Sequence, residues 1–161
     1  MRYTAKGIHN RHFELVDSTE TAMGKLDYTS WFSTKAEVLL PNGDKYEIGK
    51  SNIWHTMLHM TKDGAEKCTM KYNWKAQIII TMEGGTTYML KPKGFFHSTY
   101  VLMNEQEQEI ITLHPDFQWA KLSFNYAIET NDNYTEGNDP VMLLLLLYCT
   151  NHMKQMQSGA V

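Results

Sequence analysis

The stretch Asp139-Pro-Val-Met-Leu-Leu-Leu-Leu-Leu-Tyr-Cys149 decides how the rest of the chain is interpreted. Val141 to Cys149 is apolar or aromatic without a polar break, whereas a helix on a protein surface keeps one polar face. Asp139 suits the N-cap of a helix, and Pro140 suits its first position. We therefore predict a central helix over residues 139–156 that is buried on all sides. Its apolar part is shorter than the roughly 20 residues needed to cross a bilayer, so we expect no transmembrane span.

The composition is that of a folded protein. The chain has 161 residues, of which 42% are hydrophobic and 20% charged, and this length fits a single domain over residues 1–161. The formal net charge of −3 argues against a nucleic-acid-binding protein, because such proteins carry a basic excess. Cys68 and Cys149 are too few for a disulfide framework, and no apolar leader follows Met1. We expect a cytoplasmic protein with two free, buried thiols.

Residues 1–128 are predicted to form about twelve short strands joined by turns. Lys35 to Leu40 alternates polar and apolar residues, and Pro41-Asn-Gly-Asp44 has the composition of a hairpin turn. Further strand–turn–strand units flank Lys62-Asp-Gly64 and Gly84-Gly85. The regular spacing of turn residues therefore indicates a chain of antiparallel hairpins.

The strands before the helix include one predicted over Phe95 to Met103 and one over Gln108 to His114. The last strand is predicted over Phe117 to Ile128. The two-residue period of a strand places four of its apolar side chains on one face: Leu122, Phe124, Tyr126 and Ile128. A polar and acidic loop follows over residues 129–138 and leads into the helix.

These elements predict a mainly β fold, an antiparallel barrel of about twelve strands closed around a C-terminal hydrophobic α-helix. A barrel of about eight strands fills its interior with its own side chains, whereas a wider barrel leaves a lumen. The apolar helix would fill that lumen, as in other cans of strands with a central helix. An open sandwich is the second choice, because it would leave Leu143 to Leu147 without fully apolar surroundings.

The succession of about twelve strands, an Asp-Pro start and a leucine-rich terminal helix resembles the tubby C-terminal-like superfamily. The resemblance is strongest to the LURP-one-related proteins and more distant to the phospholipid scramblases. It covers nearly the whole chain, but it is a resemblance of pattern, since neither a tubby phosphoinositide motif nor a scramblase calcium motif falls on any residue. It implies a twelve-stranded barrel around a hydrophobic helix, in a family often without an assigned activity and with some members bound to membrane phospholipids.

The sequence contains no convincing motif for catalysis or metal binding. Gly49-Lys50-Ser51 is similar to the end of a phosphate-binding loop, but Asp44 stands where the first glycine is required. His55 and His59 have the spacing of a zinc pair on a helix, but on a strand they would lie about 13 Å apart. A nucleophile elbow and a dinucleotide fingerprint are both missing from the sequence. We therefore expect no enzyme, no metal and no cofactor.

Charge distribution gives the one candidate site. In an antiparallel meander, successive connections alternate between the two ends of the barrel. Around the connections after odd-numbered strands lie His9, Arg11, Lys35, Lys50, Lys71, Lys75, Lys91, Lys93 and His114, against Asp27 and Asp116. Around the other connections lie Asp17, Glu20, Asp44, Asp63, Glu66, Glu83, Glu105, Glu107, Glu129, Asp132, Glu136 and Asp139, against Lys45, Lys62 and Lys67. One end is therefore predicted to be basic and the other acidic.

Aromatic residues accompany the predicted basic end, namely Trp31, Tyr72, Trp74, Phe95 and Phe96. Basic residues near an anionic lipid surface contribute about 1 kcal/mol each, which suggests binding to phospholipid head groups. The candidate ligand-binding residues are Lys71, Trp74, Lys75, Lys91, Lys93 and Phe95. The plainer interpretation is that these loop charges only keep the protein soluble.

Two functions remain open from the sequence. The first is a non-catalytic binding or scaffold module, peripheral to an anionic membrane or bound to a protein partner. The alternative is a small-molecule or lipid carrier that uses the barrel interior, with the helix outside as a lid. Its lumen would be lined by residues such as Ile78, Ile80, Leu122 and Phe124. Removing the helix separates the two hypotheses, because a central helix is needed for folding and a lid is not.

Overall fold

The strands pair in sequence order, and the first also pairs with the last, which closes the sheet into an antiparallel barrel. The structure, a computed structural model, describes residues 1–29, 34–51 and 57–158, without the side chain of His97. The strands are β1 (Arg2–His9), β2 (His12–Asp17), β3 (Ala22–Tyr28), β4 (Ala36–Leu39), β5 (Lys45–Lys50), β6 (Met57–Lys62), β7 (Ala65–Tyr72), β8 (Ile78–Met82), β9 (Thr87–Lys93), β10 (Thr99–Met103), β11 (Glu109–Gln118) and β12 (Ser123–Thr130). Two 3-10 turns, Phe95–His97 and Thr135–Asn138, precede β10 and the helix α1 (Pro140–Gln157). The predicted fold class is confirmed.

Helix α1 begins as its sequence predicts. The Asp139 side chain accepts a hydrogen bond from the backbone N–H of Val141 at 3.0 Å, and Pro140 occupies the first helical turn. The run Leu143 to Leu147 is 0% exposed. A helix can be buried on all faces only when the sheet surrounds it, so α1 fills the interior of the barrel.

Helix α1 packs tightly against β3. Gly24 lies opposite Leu144, and a Cβ atom at this glycine would stand 2.8 Å from the Leu144 Cδ1 atom. Such a distance is shorter than real side chains adopt. The missing side chain at Gly24 therefore lets the helix pack directly on the strand.

The two ends of the barrel are distinguished by the direction of α1. The helix enters beside the connections that follow even-numbered strands, here called the acid end, and points toward the opposite, basic end. At the basic end, the Tyr148 hydroxyl donates to the carbonyl oxygen of Thr34 at 2.5 Å, and the Tyr100 hydroxyl donates to Gln157 at 3.1 Å. These contacts hold the middle and the end of the helix against the basic end of the barrel.

The boundary between the last two strands differs from the prediction. Strand β11 continues through Pro115 to Gln118, instead of ending at His114. Pairing of β10 with β11 extends only as far as Leu113, so one side of β11 is unpaired at Pro115. Proline has no backbone N–H group to donate, so it is tolerated where a strand has no neighbour on one side.

The shifted boundary moves the turn to residues 119–122, and one prediction is wrong as a result. Leu122 does not share the inward face of Phe124: it is 65% exposed in the turn, with a φ of +50°. A separate prediction, a strand beginning at Phe95, is also wrong, because Phe95 and Phe96 belong to a 3-10 turn and β10 begins at Thr99. In both places apolar residues extend beyond the strand into the turn beside it.

Candidate functional site

The connections at the two ends of the barrel carry opposite charges. In the described part of the chain, the connections at the basic end contain no aspartate or glutamate, and their charged residues are Arg11, Lys35, Lys75 and Lys121. The connections at the acid end contain no lysine or arginine within the described ranges, and their charged residues are Glu20, Asp44, Asp63, Glu83, Glu105, Glu107, Asp132, Glu136 and Asp139. The barrel is therefore electrically polarised along its axis.

Trp74 and Lys75 lie together at the tip of the turn between β7 and β8. Asn73 shapes this turn, because its Oδ1 atom accepts hydrogen bonds from the backbone N–H groups of Lys75 and Gln77, each at 3.0 Å. Trp74 is left 90% exposed. The Lys75 ammonium lies 5.2 Å from the centroid of the indole ring, so a cation and an aromatic ring project from the same tip.

The three other predicted lysines lie on the strands below the tips. Lys71 on β7 is exposed, and Lys91 on β9 is half-buried. Lys93, at the end of β9, forms an ion pair with Glu109 on β11, so its charge is already compensated. Among the described residues, no carboxylate lies within ion-pair distance of Lys71, Lys75 or Lys91. Three of the four predicted lysines are therefore available to an external anion.

Phe95 and Phe96 project from the turn between β9 and β10. The turn is tight, with positive φ values at Gly94 (+85°) and Phe96 (+61°). The two rings are 87% and 91% exposed, and they contact each other edge to face at 5.2 Å. A fourth exposed ring, Trp119, is 81% exposed in the turn between β11 and β12. We call Trp74, Phe95, Phe96 and Trp119 the aromatic rim.

The aromatic rim occupies one continuous arc of the basic end. Its hairpins, β11–β12, β9–β10 and β7–β8, are consecutive in the barrel. Ile8, Leu122 and Met156 are exposed at the same end. Among the large apolar side chains of the described residues, only Met1 is exposed at the acid end. Exposed hydrophobic side chains are therefore concentrated at the same end of the barrel as the basic connections.

The sequence prediction located part of this surface. Trp74, Lys75 and Phe95 lie on tips, and Lys71, Lys91 and Lys93 lie behind them. Trp119 and Lys121 were missed, because the prediction placed the turn before Phe117. Tyr72 is half-buried and lines a cavity beside the helix, while Trp31 lies outside the described residues.

Behind the aromatic rim, polar side chains of α1 meet tyrosines from the barrel wall. The Tyr126 hydroxyl donates to the Oδ1 atom of Asn151, and the Nδ2 atom of Asn151 donates to the Tyr28 hydroxyl at 3.2 Å. Burial raises the pKa of both tyrosines. Their hydroxyls therefore stay protonated and uncharged near neutral pH.

A small cavity lies beside the helix at the basic end of the barrel. A cavity of about 30 Å³ lies between Leu58, Met70, Tyr72, Ile78 and His152, which is enough for a single water molecule. Burial, and secondarily the positive charge of Lys50, lowers the pKa of His152. The helix therefore occupies the space that a carrier would need for its cargo.

A cleft of about 320 Å³ lies on the outer wall across β4, β5 and β6. Its charges are of both signs. Lys45 bridges Glu37 at 3.1 Å and Glu47 at 3.9 Å, and His59 contacts Glu66 at 3.3 Å. In the ranges that the structure describes, no group of three potential ligands could hold a metal ion, and His55 lies outside those ranges.

The two cysteines are free and buried. Burial raises the pKa of Cys68 to about 12, and it raises the pKa of Cys149 as well. Both thiols are therefore poor nucleophiles. None of the helices formed by the described residues combines the length and the hydrophobicity that crossing a bilayer would require.

Comparison with known proteins supports the fold. No protein-family model matches the chain, and no curated protein matches it. Among solved structures, the X-ray structure of a protein from Arabidopsis thaliana is similar, with a TM-score of 0.61 and 11% sequence identity. The similarity covers 95% of this chain and 91% of the plant protein. The two proteins thus share a fold over almost their whole lengths.

Proposed function

We propose that this protein is a non-catalytic binding module that docks on anionic phospholipid surfaces with the basic end of its barrel. The observation that carries the proposal is the coincidence of the aromatic rim with the end whose described connections lack acidic residues. Surface charge alone would serve solubility. Four large rings exposed beside lysines serve no purpose in solubility and favour a surface that is both apolar and anionic.

The aromatic rim supplies the apolar part of the interaction. Fully burying a side chain such as phenylalanine stabilises it by about 1.5–3 kcal/mol. Because the four rings are exposed in the folded protein, they gain almost none of this free energy in water. Aromatic rings are favoured at the membrane interface, where a ring can lie among the head groups and upper acyl chains. Insertion of the four tips would therefore recover hydrophobic free energy that the folded protein leaves unused.

Lys71, Lys75 and Lys91 supply the electrostatic part. Each basic residue near an anionic surface contributes about 1 kcal/mol of binding free energy, so the three lysines contribute about 3 kcal/mol. Because about 1.4 kcal/mol changes the affinity tenfold, this contribution raises the affinity roughly a hundredfold. The acid end is repelled by the same surface. The protein would therefore bind with its basic end down and the start of α1 pointing away from the lipid. Anionic lipids are concentrated on the cytoplasmic leaflet, so we propose this location.

We also propose that the chain is a tubby-like protein of the LURP-one-related kind. A closed twelve-stranded antiparallel barrel, a hydrophobic helix inside it and a starting Asp-Pro pair support this affiliation. The carrier alternative requires α1 to leave the barrel, because the helix fills the interior and the cavity beside His152 has room for about one water molecule. No observation favours that alternative over docking.

Flotation with liposomes tests the docking proposal. The purified protein is mixed with vesicles of phosphatidylcholine alone or with added phosphatidylserine, at low and at high salt. We expect binding to the anionic vesicles only, weakened by salt. Changing Lys71, Lys75 and Lys91 to glutamine should lower affinity about a hundredfold. Lys25→Gln, which removes an exposed charge from the middle of β3, is the control and should have little effect.

The apolar contribution needs its own variant. Changing the four residues of the aromatic rim to serine should abolish flotation while leaving the unfolding midpoint unchanged, because these side chains are already exposed in the folded protein. Absence of binding to either kind of vesicle would refute the proposal. Equal binding to neutral and anionic vesicles would refute its electrostatic part, and full binding by the serine variant would refute the role of the rim.

A further inference from the structure

Lys154 lies in an unusual position where α1 reaches the basic end of the barrel. Its side chain is half-buried and folds back into the barrel mouth. The Nζ atom lies 2.8 Å from the ring centroid of Phe124 and 5.4 Å from the ring centroid of Tyr126. The amine thus lies against aromatic side chains of β12 and is partly shielded from water.

No negative charge compensates this amine in the described part of the chain. Its Nζ atom has a long hydrogen bond to the Tyr126 hydroxyl oxygen at 3.5 Å. The groups beyond that oxygen are the Asn151 amide and the Tyr28 hydroxyl, and burial raises the pKa of both tyrosines. No described carboxylate lies within ion-pair distance of Lys154. Every polar neighbour is therefore neutral at physiological pH.

An ammonium group that loses water without gaining an anion is disfavoured relative to the free amine. Burial accordingly lowers the pKa of Lys154 to about 7, although the ring faces offset a part of this effect. Lys62 shows the opposite case: its hydrogen bond and ion pair with Asp44, 3.2 Å away, raise the pKa of Lys62. A large share of Lys154 is therefore an uncharged amine near pH 7, and such an amine is a nucleophile toward carbonyl groups.

We propose that Lys154 is a covalent binding site for small neutral aldehydes, which it captures as imines. The Nζ lone pair adds to the carbonyl carbon, and the carbonyl electron pair moves to oxygen. Transfer of a proton from nitrogen to that oxygen gives a carbinolamine, which loses water as the carbon–nitrogen double bond forms. Amine and aldehyde thus yield imine and water without an oxidant or a reductant. The aromatic walls favour uncharged aldehydes. This inference does not depend on membrane docking.

Competitive labelling tests the proposal on the full chain. Acetaldehyde is added in limiting amount with cyanoborohydride, whose hydride reduces each imine to a stable ethylamine, and the labelled lysines are identified by peptide mass spectrometry. At pH 7, about half of an amine with a pKa near 7 is unprotonated. This fraction is about a thousandfold larger than for an ordinary lysine with a pKa near 10.4. Lower basicity and half-burial reduce this advantage, so we expect labelling of Lys154 about tenfold faster than labelling of Lys25 or Lys62.

The pH profile distinguishes a shifted amine from one that is merely accessible. The Lys154 rate should level off above about pH 7, because almost all of this amine is then in its free form. Phe124→Ser, which admits water to the amine, should move the Lys154 midpoint to higher pH. Lys154→Met should remove the fast-labelled site and leave the other lysines unchanged. Two results with the wild-type protein alone would overturn the proposal. One is labelling of Lys154 no faster than labelling of Lys25, and the other is a Lys154 labelling rate that still rises at pH 9.

Discussion

The contact between Gly24 on β3 and Leu144 on α1 gives a quantitative test of the helix position. A methyl group at Gly24 would lie 2.8 Å from Leu144 Cδ1 and 3.1 Å from the carbonyl oxygen of Leu39. Gly24→Ala therefore forces the helix and the strand apart. Overpacking of this kind costs about 1–3 kcal/mol of unfolding free energy.

Leu144→Ala acts in the opposite way, by leaving a cavity. The Leu144 side chain is 0% exposed, and such truncations cost about 2.7–5 kcal/mol. If the two residues touch, the truncated side chain makes room for the new methyl group. The double variant should then be less destabilised than the sum of the single variants, with a coupling of about 1–2 kcal/mol. The Leu39 carbonyl remains in place, so the rescue is incomplete.

Urea unfolding monitored by tryptophan fluorescence supplies the free energies. Gly49→Ala is a matched control, because a Cβ atom there meets only the Lys35 Cγ atom, at 3.5 Å. Combined with Leu144→Ala, this control should be additive within about 0.5 kcal/mol. The same additivity for Gly24→Ala and Leu144→Ala would show that the helix does not pack on β3 inside the barrel.

Three further predictions test other parts of the structure. Ellman's reagent should modify neither Cys68 nor Cys149 in the native protein and both after unfolding in urea, since both are buried with a raised pKa. The Thr19 hydroxyl, and then backbone N–H groups, hold the pKa of Asp17 below its usual value. The stabilisation from Asp17 is therefore present above about pH 4 and lost as the pH falls further, and Asp17→Asn should reduce the acid-induced drop in urea midpoint. A chain lacking α1 should show no cooperative unfolding, whereas a folded, leaky barrel would support the carrier hypothesis.

The fold could be predicted because its signals are local. Each hairpin turn is specified by a few neighbouring residues, as at Gly84 and Gly85, which both adopt a φ of +96°. The fully apolar run in α1 needs an enclosed environment whatever the details of the sheet. Alternation of the connections then follows from the number of strands, and with it the polarity of the two ends.

The errors arose where local signals conflict with the tertiary structure. Pro115 indicates a turn when the sequence is considered alone, but β10 does not extend far enough to pair with that part of β11. The misplaced turn hid Trp119, whose exposure depends on its place at a tip. Lys154 could not be found at all, because its environment is created by Phe124, distant from it in the sequence.

Site-specific fluorescence most directly tests the central claim, that the basic end meets the membrane. An environment-sensitive NBD dye is attached to Ala120→Cys, in the turn between β11 and β12, or to Gln106→Cys, in the turn between β10 and β11 at the acid end. The native cysteines are buried and should remain unlabelled. On anionic vesicles, we expect a blue shift and increased emission at position 120 and no change at position 106. The same response at both positions, or a response at position 106 alone, would contradict docking by the basic end.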